Sequence, residues 1–172
     1  MRKSLQPVGP QAPDRGLTAP ASLQPLAAGA AITLYAAWNA RNLLAAWLHS
    51  PFDRCGSVAF LLWIVPILLW AARPSPRRVS IPAFAVALLI SFAGVAADLG
   101  ALKYLGLALA LAAFLPLRPA TSLWLPCAAA WMPAAGWAFS AHGPLFVNSA
   151  RVAVGLAALA TTPLLLRDEK LR

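Results

Sequence analysis

PLFVNSARVAVGLAALATTPLLL, Pro144–Leu166, is 23 residues long and holds no acidic side chain. At ~1.5 Å per residue it is long enough to cross a bilayer core. Asn148 and Arg151 nevertheless lie in its first turns. An arginine near the middle of a spanning helix costs roughly 2.5–3.5 kcal/mol on insertion scales, so one kept there usually faces protein or water. Asn148, Arg151, Gly155, Ala158 and Thr162 recur at steps of three and four and so form one helix face. The face is small or polar, while Leu156, Leu159 and Leu164 point elsewhere. Small residues let backbones approach closely in lipid, so this face is predicted to meet other helices. Arg151 then has two readings: part of a packing seam with its head snorkelling outward, or a functional arginine.

Composition extends this reading to the whole chain. Of 172 residues, 60% are hydrophobic and 11% charged, with mean hydropathy +0.70. Soluble domains carry about 25% charged residues. The fold class expected is an all-α, polytopic membrane helical bundle of about six transmembrane helices. The net charge of +9 is spread between apolar segments, a topology signal and not a nucleic-acid patch. Cys55 and Cys127 are too few for a disulfide framework. No C-x-x-C, H-E-x-x-H, P-loop or G-x-G-x-x-G pattern occurs. His49 and His142 without further ligands make a poor metal site, so neither metal nor cofactor is expected.

In order, residues 1–25 form a basic, proline-rich tail, predicted disordered and cytoplasmic. Residues 26–166 form the transmembrane domain, and 167–172 a second cytoplasmic tail. The expected spans are 26–48, 57–72, 79–97, 99–115, 120–141 and 144–166. Asn39, Arg41 and Asn42 interrupt the first; Pro126 and Pro133 interrupt the fifth. Ala87, Ser91, Gly94 and Asp98 mark a second seam on the third. Six spans put Arg2, Lys3, Arg15, Arg73, Arg77, Arg78, Arg118, Arg167, Lys170 and Arg172 on one side. Arg41, Arg54, Lys103 and Arg151 fall on the other, ten against four of the 14 basic residues. The positive-inside rule then places both termini in the cytoplasm.

The outer face collects the groups that could do chemistry: His49, Asp53, Arg54, Cys55, Asp98, Lys103, His142, Asn148 and Arg151. A thiolate is a nucleophile, and Arg54 beside Cys55 favours it. His49 or His142 could act as base, with Arg151 or Arg41 as oxyanion donor. The plainer reading makes Cys55 an inert thiol in a turn and Cys127 a core residue. Asp98 and Lys103 are expected to pair with each other or with Arg151.

WLHSPFDRCGSVAFLLWIVPILLW, residues 47–70, resembles the early segment of exosortase and archaeosortase proteins. LWLPCAAAWMPAAGW, residues 123–137, is similar to the family helix that ends in Met-Pro, here Met132-Pro133. Asn148, Arg151 and Val152 fit its N-x-x-R-[IV] motif. The family's C-x-G nucleophile in a later helix and its histidine after the arginine are not matched. The resemblance implies handling of proteins with C-terminal sorting signals at the outer face of a bacterial or archaeal cytoplasmic membrane. It implies either a thiol transpeptidase using Cys55, His142 and Arg151, supported by Asn148, or a degenerate or truncated member. Two other classes remain. One is a non-catalytic membrane subunit or scaffold. The other is a solute transporter with a 3+3 inverted repeat, in which Trp63, Pro66 and Trp70 correspond to Trp124, Pro126, Trp131, Pro133 and Trp137.

Overall fold

The computed structural model describes residues 24–73, 80–116 and 118–167. The N-terminal tail, most of the RPSPRR loop and nearly all of the C-terminal tail lie outside the described residues. The described chain is all-α. Its elements are α1 (Gln24–Asn39), α2 (Asn42–His49), α3 (Gly56–Ala71), α4 (Ile81–Ala96), α5 (Gly100–Ala112), α6 (Pro119–Trp124), α7 (Pro133–Ala138), α8 (Pro144–Ala160) and α9 (Thr162–Leu166). Tighter 3-10 turns occupy Leu125–Trp131 and Ser140–His142.

Proline places many of these boundaries. Among the described residues, Pro119, Pro133 and Pro144 open α6, α7 and α8, where the missing N–H would have no helical partner anyway. Pro66 instead stays inside α3. The first expected span is divided at Ala40–Arg41. Next to that break Asn39 turns its amide back to the Tyr35 carbonyl at 2.8 Å. The fifth is divided further, into α6, a 3-10 segment and α7, because Pro126 and Pro133 each remove a helical donor. Among the described residues, Pro144–Leu166 is the one helix both long and apolar enough to cross a membrane. Gly56–Ala71, Ile81–Ala96 and Gly100–Ala112 are apolar but shorter.

α4 and α5 form an antiparallel hairpin that packs on α1, while α3 packs on α8. The hairpin turns at Asp98, whose φ of 49° is left-handed, a conformation Asp tolerates better than most residues. α3 and α8 run the same way, since Cys55 meets Asn148 at one end and Arg73 meets Leu166 at the other. Most of both expected seams is buried, Ala87, Ser91 and Gly94 on α4 and Arg151, Gly155, Ala158 and Thr162 on α8–α9, while Asn148 is half-buried and Asp98 stands exposed at the hairpin turn. Gly155 shows why its face must be small, for a Cβ there would stand 3.1 Å from the Ala59 Cα.

The interior is unusually rich in small residues. Ala36, Ala59, Ala87, Ala108 and Ala158 are buried, whereas Leu34, Leu48, Leu61, Leu89, Phe92 and Leu145 are exposed. A water-soluble domain normally does the reverse with its large apolar side chains.

Arg73 and Arg118 gather at the far end of α9. Arg73 donates to the Leu166 carbonyl at 2.6 Å, and Arg118 to those of Leu165 and Arg167. Cations there complement the open carbonyls and the negative pole of a helix C-terminus. At the hairpin turn, Lys103 bonds Asp98 at 2.6 Å. The hydrogen bond from Lys103, and then its charge, hold the Asp98 carboxyl below its ordinary range. A depressed carboxyl contributes stability above its unfolded pKa of ~3.9, and loses it as pH falls through the folded value. Asp98→Asn is expected to give up that small contribution near neutral pH and to match the parent protein in acid, where the parent carboxyl is itself protonated. Unfolding midpoints measured near neutrality and near pH ~3 check it.

Candidate functional site

The loop between α2 and α3 and the first turns of α8 build one polar site. Asn148 Nδ2 donates to the Pro51 carbonyl at 2.9 Å, and its Oδ1 accepts from the Cys55 N–H at 3.2 Å. One turn on, Arg151 is 2% exposed. Its Nε donates to the Phe52 carbonyl at 3.1 Å, one terminal nitrogen to the Ala130 carbonyl, and the other to the Asp53 carboxylate. Asp53 is buried as well. A buried guanidinium is tolerable where a carboxylate and carbonyls satisfy it, and this one meets both conditions.

Of the expected alternatives, the snorkelling Arg151 is overturned and the Asp98–Lys103 pair is the one found. Arg151 does not snorkel outward, and its partner is Asp53, not Asp98 or Lys103, which pair with each other. The signal was present in the sequence. Of the five acidic residues, Asp14, Asp168 and Glu169 lie in the tails and Asp98 has Lys103 five residues on. Asp53 is the carboxylate left over. Gly136 was not singled out either, yet it forms the wall of the site. A Cβ there would lie 2.5 Å from Asp53 Oδ1 and 2.8 Å from the Arg151 Nη2. Gly136→Ala is therefore expected to lower stability by about 1–3 kcal/mol by prying at the pair. An unfolding midpoint equal to that of the parent protein would contradict this.

The donors also explain how the broken fifth segment holds together. Helix breaks leave carbonyls open, and when buried away from water these need protein partners. Trp63 Nε1 donates to the Trp124 carbonyl at 3.3 Å, and Trp47 Nε1 to the Trp131 carbonyl at 3.0 Å. Arg151 takes that of Ala130. Trp124 Nε1 returns a bond to the Trp63 carbonyl at 3.1 Å, and the two indoles stack 4.2 Å apart.

The candidate catalytic residues are only partly brought together. Cys55 is half-buried, caps the start of α3, and lines a shallow groove with Leu145, Asn148, Ser149, Val152 and Leu156. Cys55, Asn148 and Arg151 thus share one neighbourhood. His142 lies exposed in the turn before α8, stacked on Phe146 with centroids 5.1 Å apart, and among the described residues no hydrogen bond joins it to a thiol. His49 is exposed at the end of α2. Cys127 is half-buried in the 3-10 segment and donates weakly to the Leu123 carbonyl. Among the described residues no group of three His, Cys, Asp or Glu could hold a metal ion. A second cavity, on the other flank of α8, is walled by Pro126, Ala129, Phe139, Val147 and Val154, with Arg151 at its edge. Compared with protein-family models, curated proteins and solved structures, the chain matches none.

Proposed function

We propose that the chain is a multi-pass integral membrane protein, resembling exosortases, that binds membrane-anchored proteins with C-terminal sorting signals and does not cleave them. Membrane embedding is supported by the alanine-rich interior and the leucine-rich exterior, since lipid covers apolar side chains at no penalty. An even number of passes, both termini cytoplasmic, is supported by the gathering of Arg73, Arg118 and Arg167 at one end and of Asp53, Cys55 and Asn148 at the other.

One observation carries the choice of binding over thiol chemistry. Arg151, which the family resemblance puts in the catalytic set and which could serve as an oxyanion donor, spends its donors on Asp53, Phe52 and Ala130. An oxyanion donor must aim at the place where charge develops, and these aim inward. The transpeptidase reading, with Cys55, His142 and Arg151, remains the second, favoured by the thiol at the mouth of the groove. The transporter reading is weaker. The space between the two proline-bearing elements is filled by stacked Trp63 and Trp124. Moreover, α8 packs on α3, while its would-be counterpart α4 packs on α5 and α1.

Co-expression with a membrane-anchored protein carrying a C-terminal sorting signal tests the proposal. The substrate is expected to co-purify in intact form with the parent protein and with both Cys55→Ala and Cys127→Ala. Processing that disappears in Cys55→Ala would establish the thiol reading instead.

A further inference from the structure

We infer that this protein holds the bilayer around α3, α4 and α5 thinner than average and fits lipids with short acyl chains, an inference that rests on the membrane-embedded reading above. The helices α3 and α4 have 16 residues each and α5 has 13. At 1.5 Å per residue these are about 24, 24 and 20 Å, against ~30 Å for a typical hydrocarbon core. The neighbouring stretch Pro144–Leu166 has 23 residues, about 35 Å. The mismatch is thus confined to one part of the bundle.

A second observation places the polar boundary. α3 and α8 are level at the Arg73–Leu166 end, so α8 overshoots α3 at the other. There the polar loop is tied to Asn148 and Arg151, which lie about 6–10 Å along α8 from Pro144. Arg54, beside the buried Asp53, is exposed in that loop and needs water or headgroups. The headgroup layer must sink to meet it. On the hairpin, Asp98 and Lys103 mark the corresponding boundary. Snorkelling is one way to relieve such a shortfall, but Lys103 is tied back to Asp98 at 2.6 Å. Tilting is no remedy, because it shortens the projected span of a helix further. Of the other responses, oligomerising needs a second copy of the chain, and thinning of the surrounding lipid does not.

The full chain is reconstituted in phosphatidylcholine bilayers with fourteen-, eighteen- or twenty-two-carbon monounsaturated chains, and insertion and thermal unfolding are followed. The unfolding midpoint is expected to be roughly 5 °C higher in the fourteen-carbon than in the twenty-two-carbon lipid. Full insertion with a midpoint that is flat, or highest at eighteen carbons or more, overturns the thinning while leaving the membrane reading intact. Failure to insert at every thickness overturns both.

Discussion

Asp53→Ala is expected to destabilise the fold by about 3–5 kcal/mol, the usual cost of stranding one member of a buried ion pair. The loss comes less from the missing attraction than from the guanidinium of Arg151, which stays buried without a counter-charge. Pairing the change with Arg151→Met should therefore recover part of the loss, because the double variant buries no charge at this site but leaves the Phe52 and Ala130 carbonyls without their donor. Asp53→Asn should fall between, since an amide oxygen can still accept from Arg151. Denaturant unfolding of the purified variants in one detergent measures all three. If the double variant were as unstable as the sum of its parts, Asp53 and Arg151 would not be coupled and the site would have another basis.

The second large effect belongs to Trp63 and Trp124. Both indoles are fully buried, stacked with an interplanar angle of 10°, and each donates to the other's carbonyl. Trp63→Ala or Trp124→Ala is expected to cost about 3–5 kcal/mol. On the proposed membrane-embedded reading most of that is lost dispersion contact and an unfilled cavity, since the hydrophobic term between helices is absent in lipid. Trp63→Phe keeps a ring but removes one donor, and should cost less, about 1–3 kcal/mol for the Trp124 carbonyl left open. The double alanine variant should lose clearly less than the two singles added together. Strict additivity would mean that the stack and the crossed hydrogen bonds contribute nothing as a pair.

Helical periodicity made a good part of this architecture legible. The buried face of α8, the seam on α4 and the extent of α3 follow from where small, polar and large residues recur. Charge distribution placed Arg73, Arg118 and Arg167 together, and all three meet at the end of α9. Proline was an ambiguous signal. It reports a missing N–H, and not whether the surrounding chain can fill the gap. Pro66 leaves α3 continuous, whereas Pro126 and Pro133 divide the fifth segment. At those breaks the open carbonyls find indole and guanidinium donors from elsewhere in the chain. The partner of Arg151 could be reached only by elimination among the five acidic residues, not from a local pattern. Asp53 is 98 residues away, and no local pattern couples positions so far apart. Of the site, Asn148 and Arg151 stood out as polar residues in an apolar helix. Gly136 did not, because a glycine needed for clearance looks like any other glycine until its neighbours are known.

If the chain is membrane-embedded as proposed, the broken segment between Pro119 and His142 has a consequence for how the nascent chain inserts. Its carbonyl at Ala130 is capped by a side chain that leaves the ribosome 21 residues later. Until Arg151 is made, that stretch has no finished backbone to present to the hydrocarbon, and Asp53 has no counter-charge. On that reading the fifth segment is expected to insert together with α8, as one hairpin that closes onto a loop synthesised long before.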